Sequence, residues 1–136
     1  MLTCAHSTTH NMTGQSNMAF SPNLAFNATA EIADSINYPN IRMFTGEDVM
    51  ANSPAQDLLD IQHSKVAAGV DLGPYANSTW AASAPDAFVG PTGPYFTWPS
   101  AICYFYGRDL YKGLGGKVPV GLVASSWGGE PIEPFM

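Results

Sequence analysis

The run Val118-Pro119-Val120-Gly121-Leu122-Val123-Ala124 (VPVGLVA) decides the fold reading. It has the length of a strand and no polar alternation, which is the pattern of a strand buried on both faces of a parallel sheet. Immediately before it, Pro99 to Leu114 (PSAICYFYGRDLYKGL) predicts a helix. Proline stands near its start, Ile102, Phe105, Tyr106 and Leu110 mark one apolar face, and Lys112 and Gly113 suit its end. Gly115, Gly116 and Pro119 stop it. A helix leading into a buried strand predicts an α/β layered domain.

Working outward, Asn23 to Ser35 (NLAFNATAEIADS) is compatible with a helix through Leu24, Phe26, Ala28, Ile32 and Ala33, ended by Asn37 and Pro39. Ile41 to Phe44 is a short strand candidate. Asp57 to Ala68 is read as a short helical or strand segment. Leu72 to Pro99, punctuated by glycine and proline, is expected to be loop running over the surface. Residues 1–13 (MLTCAHSTTHNMT) are polar and without period, and are expected to form a loose N-terminal segment.

The 136 residues fit one domain or part of a larger one. Hydrophobic residues at 46% exclude a wholly disordered chain and allow a core. A net charge of -6 with only 5 Lys and Arg leaves no basic stripe, so nucleic acid is not an expected partner. No apolar run is long enough to cross a bilayer, and Met1 to Gly14 lacks the basic start and apolar stretch of a secretory signal. Cys4 and Cys103 are too few for a disulfide scaffold and lack zinc-site spacing; one disulfide or two free thiols fit, with free thiols favoured.

Two segments could carry chemistry: Gly14-Gln15-Ser16-Asn17-Met18, and Ser125-Ser126-Trp127-Gly128-Gly129-Glu130-Pro131-Ile132-Glu133 directly after the strand. A nucleophilic serine needs an exposed hydroxyl, a base to take its proton, and N–H groups aimed at the developing oxyanion. Ser16 beside Gly14 suits the first requirement. Gly128 and Gly129, at the carboxyl end of a strand where open α/β sheets place ligands, suit the last. The first segment is not a G-x-S-x-G elbow, because Met18 stands where the second glycine would be.

Together with FNATAEI (Phe26 to Ile32), AICYFYGRDLY (Ala101 to Tyr111) and VGLVASSWGGEPIE (Val120 to Glu133), the GQSNM stretch resembles the sialate O-acetylesterases, which are SGNH hydrolases related to other carbohydrate acetylesterases. The resemblance runs from about Gly14 to Phe135. It implies an SGNH-type three-layer α/β sandwich with a parallel sheet, of which residues 14–136 would be the N-terminal portion. It also implies hydrolysis of O-acetyl esters on sialic acids or related sugars, with no metal or cofactor, in a lysosomal or secreted protein. By resemblance Ser16 is the nucleophile, and the N–H groups of Ser16 and of Gly128 or Gly129, with Gly129 favoured, hold the oxyanion. The family's aspartate and histidine come from segments beyond the glycine pair, so the chain ending at Met136 is expected to be inactive alone. The rival expectation is a non-catalytic carbohydrate-binding or structural remnant. Glu130 departs from the family's usual small hydroxyl residue, Phe135 from its common tryptophan, and the polar leader from its hydrophobic first strand.

The remaining polar residues have plainer readings. His6 and His10 have helical zinc spacing, but the intervening Ser7, Thr8 and Thr9 are poor helix formers, so His6, His10 and His63 are read as surface residues. Glu31, Asp34, Asp57 and Asp60 are read as solvated helix faces rather than acid–base pairs. Tyr104, Phe105, Tyr106 and Tyr111 are assigned to core and helix surface before a sugar platform. Sequons at Asn11, Asn27 and Asn77 are glycosylation candidates, with Asn77 favoured.

Overall fold

The computed structural model of the chain describes residues 7–14, 16–46, 80–88 and 99–126. Four strands form one sheet: β1 (Thr8–Gly14), β2 (Ile41–Gly46), β3 (Ala81–Ala82) and β4 (Val120–Ser126). Their spatial order is β1-β4-β2-β3. β4 pairs in parallel with β1 on one side and β2 on the other, while β3 runs antiparallel to β2. Two helices, α1 (Ala28–Asp34) and α2 (Ala101–Gly113), cover one face. This is the expected α/β architecture, with two of its three layers among the described residues.

The sequence explains α2 closely. Ser100 caps it, its side-chain oxygen accepting from the Cys103 N–H at 3.3 Å. At the other end Gly115 and Gly116 take φ of 76° and 69°, a region open to glycine, and the Gly116 N–H reaches back to the Tyr111 carbonyl at 2.9 Å. The expected apolar face is met in part: Phe105 and Leu110 pack against the core, but Ile102 and Tyr106 are 46% and 44% exposed, and the fully buried residues are Ala101, Cys103, Tyr104, Gly107 and Tyr111. The cause is Gly107, which an apolar periodicity does not count. Its missing side chain is the space that Leu122 of β4 fills, since a Cβ there would lie 2.3 Å from Leu122 Cδ1.

β4 also departs from burial on both faces. Val120, Leu122 and Ala124 are buried under the helices, whereas Gly121, Val123 and Ser125 are half-buried on the far face, where Trp80 lies over Gly121 and against Phe44. The expected loose segment is corrected from Thr8 onward: Thr8–Gly14 is a strand because parallel pairing with β4 satisfies main-chain groups whatever the side chains are. The expected surface loop is corrected too. Ala87 and Phe88 are core residues, and the Phe88 ring meets Tyr104 edge-on at 4.6 Å. Asp57 to Ala68 lies outside the described residues. The helix expected over Asn23 to Ser35 is a 3-10 turn (Pro22–Leu24) followed by α1 and a second 3-10 turn (Ser35–Asn37).

Neither carboxylate of α1 is simply solvated. Glu31 pairs with Arg108 of α2, and Asp34 accepts from Tyr38 and Asn37, bonds that hold its carboxyl below the usual range. Cys103 is a free, buried thiol; desolvation pushes it up to about 11, and desolvation pushes the Tyr104 phenol up to about 12.

Two predictions follow from this packing. Gly107→Ala drives a methyl into Leu122 and should lower stability by about 1–3 kcal/mol in urea titration, whereas Gly113→Ala, with nothing within 4 Å, should stay within about 1 kcal/mol of the parent. Because Cys103 and Tyr104 must stay neutral when folded, stability is complete below about pH 9 and falls as pH rises toward 11 and 12, where the unfolded groups ionise first. The urea midpoint measured from pH 8 to 11 checks the sign.

Candidate functional site

The site begins at the carboxyl edge of β1 and β4. Register pairs Gly14 with Ser126, so the two chains leave neighbouring strands side by side. Adjacent strands lie about 4.7–4.9 Å apart. Ser16 follows Gly14 by two residues, and Gly128 follows Ser126 by two. The carboxyl edge of a parallel sheet is where α/β folds gather ligand-binding loops, and β1 and β4 end there level with each other.

Ser16 opens a short 3-10 turn (Ser16–Ala19) and is exposed. As the first residue of that turn its N–H has no partner within it. The turn packs on β4, β1 and the start of α2. Two contacts fix it. A Cβ on Gly14 would lie 2.7 Å from Met18 Cγ, so glycine lets the turn fold back over the strand end. At Phe20, whose N–H closes the turn by donating to the Asn17 carbonyl, the chain is also tied to α2: the Ala101 N–H donates to the Phe20 carbonyl at 2.7 Å. That link was not foreseen from sequence. The signal available was the pair of proline-flanked serines, Ser21-Pro22 and Pro99-Ser100, both now fully or nearly fully buried at this junction.

Gly128, Gly129 and the sequon at Asn77 lie outside the described residues. Asn27 is exposed, in the left-handed conformation at φ 56°, with no side-chain cap bond to α1. Asn11 is exposed in β1. His10, expected at the surface, is instead half-buried in β1, where strand geometry cancels the helical spacing with His6; its ring meets Tyr106 edge-on at 5.7 Å. Among the described residues no three His, Cys, Asp or Glu side chains gather as a metal site, and no helix is long and apolar enough to cross a membrane. The arrangement supplies an exposed hydroxyl on a tight turn that packs against the end of β4.

No protein-family model matches the chain. Curated relatives are the sialate O-acetylesterase of Homo sapiens, 35% identical over 124 residues, which is 90% of this chain and 20% of that protein. The sialate O-acetylesterase of Rattus norvegicus is 38% identical over 122 residues, 88% of this chain and 18% of its own length. Among solved structures, a carbohydrate acetylesterase from Xanthomonas citri superposes with a TM-score of 0.65 at 24% identity, over 95% of this chain and 23% of that one, and so shares the fold. Over about nine-tenths of its length the chain is a homologue of the sialate O-acetylesterases, and it spans about one-fifth of the length of these relatives.

Proposed function

We propose that the chain carries the nucleophile and oxyanion segments of an esterase that removes O-acetyl groups from sialic acids or related sugars. The observation that supports the reading is the Gly14–Ser126 register, which ends β1 and β4 level with each other, two residues before Ser16 and two before Gly128 in sequence. Ser16 Oγ attacks the acetyl carbonyl carbon while a histidine takes the hydroxyl proton. The carbonyl oxygen becomes an oxyanion, held by the N–H groups of Ser16 and of Gly128 or Gly129, the latter favoured. Collapse expels the sugar oxygen, which the imidazolium protonates, and water then releases acetate from the acyl-serine. No metal or cofactor enters these steps.

By the family resemblance, the histidine and its aspartate follow the glycine pair further along the polypeptide. The 136-residue chain alone is therefore proposed to lack turnover, and a lysosomal or secreted location is proposed on the same ground. Loss of triad members leaves roughly 10³–10⁴ over water in a complete serine protease, but that residue of catalysis needs a whole pocket.

Hydrolysis of 4-nitrophenyl acetate tests both statements. The chain alone should match its Ser16→Ala form; a Ser16-dependent rate in the chain alone contradicts the proposed division of the site. Joined to the downstream remainder of the rat relative, it should hydrolyse the ester, and Ser16→Ala should lower kcat by about 10⁴-fold or more. A joined protein equally active with Ser16→Ala contradicts the nucleophile. In the same joined protein Gly14→Ala should lower kcat by about tenfold or more through the Met18 contact, since small misplacements of a nucleophile are costly.

A further inference from the structure

The Ser16–Ala19 turn is held at two ends, by Gly14 in front, over which Met18 folds, and by Phe20 behind. Between them Ser16 and Asn17 are exposed and Met18 and Ala19 half-buried, so the ends decide where the hydroxyl stands. Phe20 carries two bonds at once. Its N–H donates to the Asn17 carbonyl at 3.3 Å, and its carbonyl accepts from the Ala101 N–H at 2.7 Å.

That donor belongs to α2. The first N–H groups of a helix have no partner within it. Ser100 satisfies that of Cys103 with its side chain, while that of Ala101 is directed out of the helix onto Phe20. Ser21, Ser100 and Ala101 are all buried, and a hydrogen bond shielded from water is the stronger for it. Further along its axis by about 9 Å, at about 1.5 Å per residue, the same helix is seated on β4 through Gly107 and Leu122. One rigid element thus bears on the Ser16 turn and on the strand whose end lies level with Gly14.

Resting on the proposed role of Ser16 as nucleophile, we infer that Ala101 is a positioning residue. Its main-chain N–H, kept in line by the Ser100 cap, acts through Phe20 to set where Ser16 Oγ stands against the carboxyl end of β4. Loss of the donor therefore falls on kcat rather than KM: a displaced nucleophile attacks slowly while contacts to the rest of the sugar stay.

Two substitutions remove the donor. Lactic acid at position 101 turns the amide into an ester of the same shape, with an oxygen against the Phe20 carbonyl. Ala101→Pro sets a ring carbon there; α2 tolerates it, because proline suits the first helical position and Ser100 already has the extended φ -61°, ψ 126° that a residue before proline needs. In the 136-residue chain the ester should speed hydrogen exchange of the Phe20 N–H about fivefold or more, with Gly107 to Tyr111 unchanged. In the chain joined to the downstream remainder of the rat relative, both variants should lower kcat for 4-nitrophenyl acetate about fivefold or more. KM should stay within about twofold, and the pH profile should keep its shape, since no titrating group is altered. Arg108→Ala, which breaks the tie to Glu31 from the same helix, should leave kcat within about twofold. Where the proline form does not fold, the ester form decides. Parental kcat in the ester form of a joined protein that Ser16→Ala inactivates overturns the positioning role and leaves the nucleophile standing. Unchanged exchange at Phe20, or an equal loss of kcat in Arg108→Ala, overturns it too. Activity that survives Ser16→Ala overturns the nucleophile itself.

Discussion

The parallel pairing of β1 with β4 is the constraint on which the rest depends. Thr8–Gly14 has almost no apolar content of its own, and a segment of this kind has little reason to order by itself. It becomes a strand because β4 presents a row of main-chain donors and acceptors at the boundary of a packed core. Once that ladder forms, Gly14 and Ser126, which precede the two segments proposed to carry chemistry, lie level at one edge of the sheet. Sequence distance between Ser16 and Ser126 thus becomes spatial proximity through hydrogen bonds that are indifferent to side-chain identity.

β4 can serve as that central rail because α2 is seated on it. Gly107 lets the helix approach until Leu122 occupies the space a side chain would take, and Val120, Leu122 and Ala124 are buried together with Tyr104, Phe88 and Ile41. The same helix reaches back to the Ser16–Ala19 turn through the Ala101 N–H and the Phe20 carbonyl. Core packing and site geometry therefore share one element. The Glu31–Arg108 pair adds a tie between the two helices, with Arg108 lying over the Phe105 ring at 4.9 Å. Such pairs at partly exposed positions contribute modestly, so the apolar contact with β4 sets the position of α2.

Much of this was legible in the sequence, for identifiable reasons. The extent of α2 could be read because Ser100, Lys112 and the glycines at 115 and 116 are local signals that act through nearby backbone groups. The strand at Val120 and the one at Ile41 could be read from apolar runs. What escaped was decided by distant partners. β1 has no periodic signal because its order comes from β4, and Ala87 and Phe88 are buried by Tyr104 rather than by their glycine- and proline-rich neighbourhood. Of the apolar face read for α2, Phe105 and Leu110 pack on the core while Ile102 and Tyr106 do not, because a glycine that makes close contact resembles, in a hydropathy pattern, a glycine that makes none. Ser16 was legible through its motif; the bond that holds its turn to α2 was not, because main-chain acceptors such as that of Phe20 leave no mark on residue type.

Everything at this sheet edge requires β1 to lie beside β4 with Gly14 level with Ser126. Nuclear Overhauser contacts between main-chain protons in the labelled chain measure this directly. Contacts should link His10 to the Leu122 neighbourhood, Met12 to that of Ala124, and Gly14 to that of Ser126, in the pattern of parallel strands. A spectrum in which β4 contacts β2 but shows none to residues 8–14, or in which those contacts are shifted along the strand, would contradict this pairing.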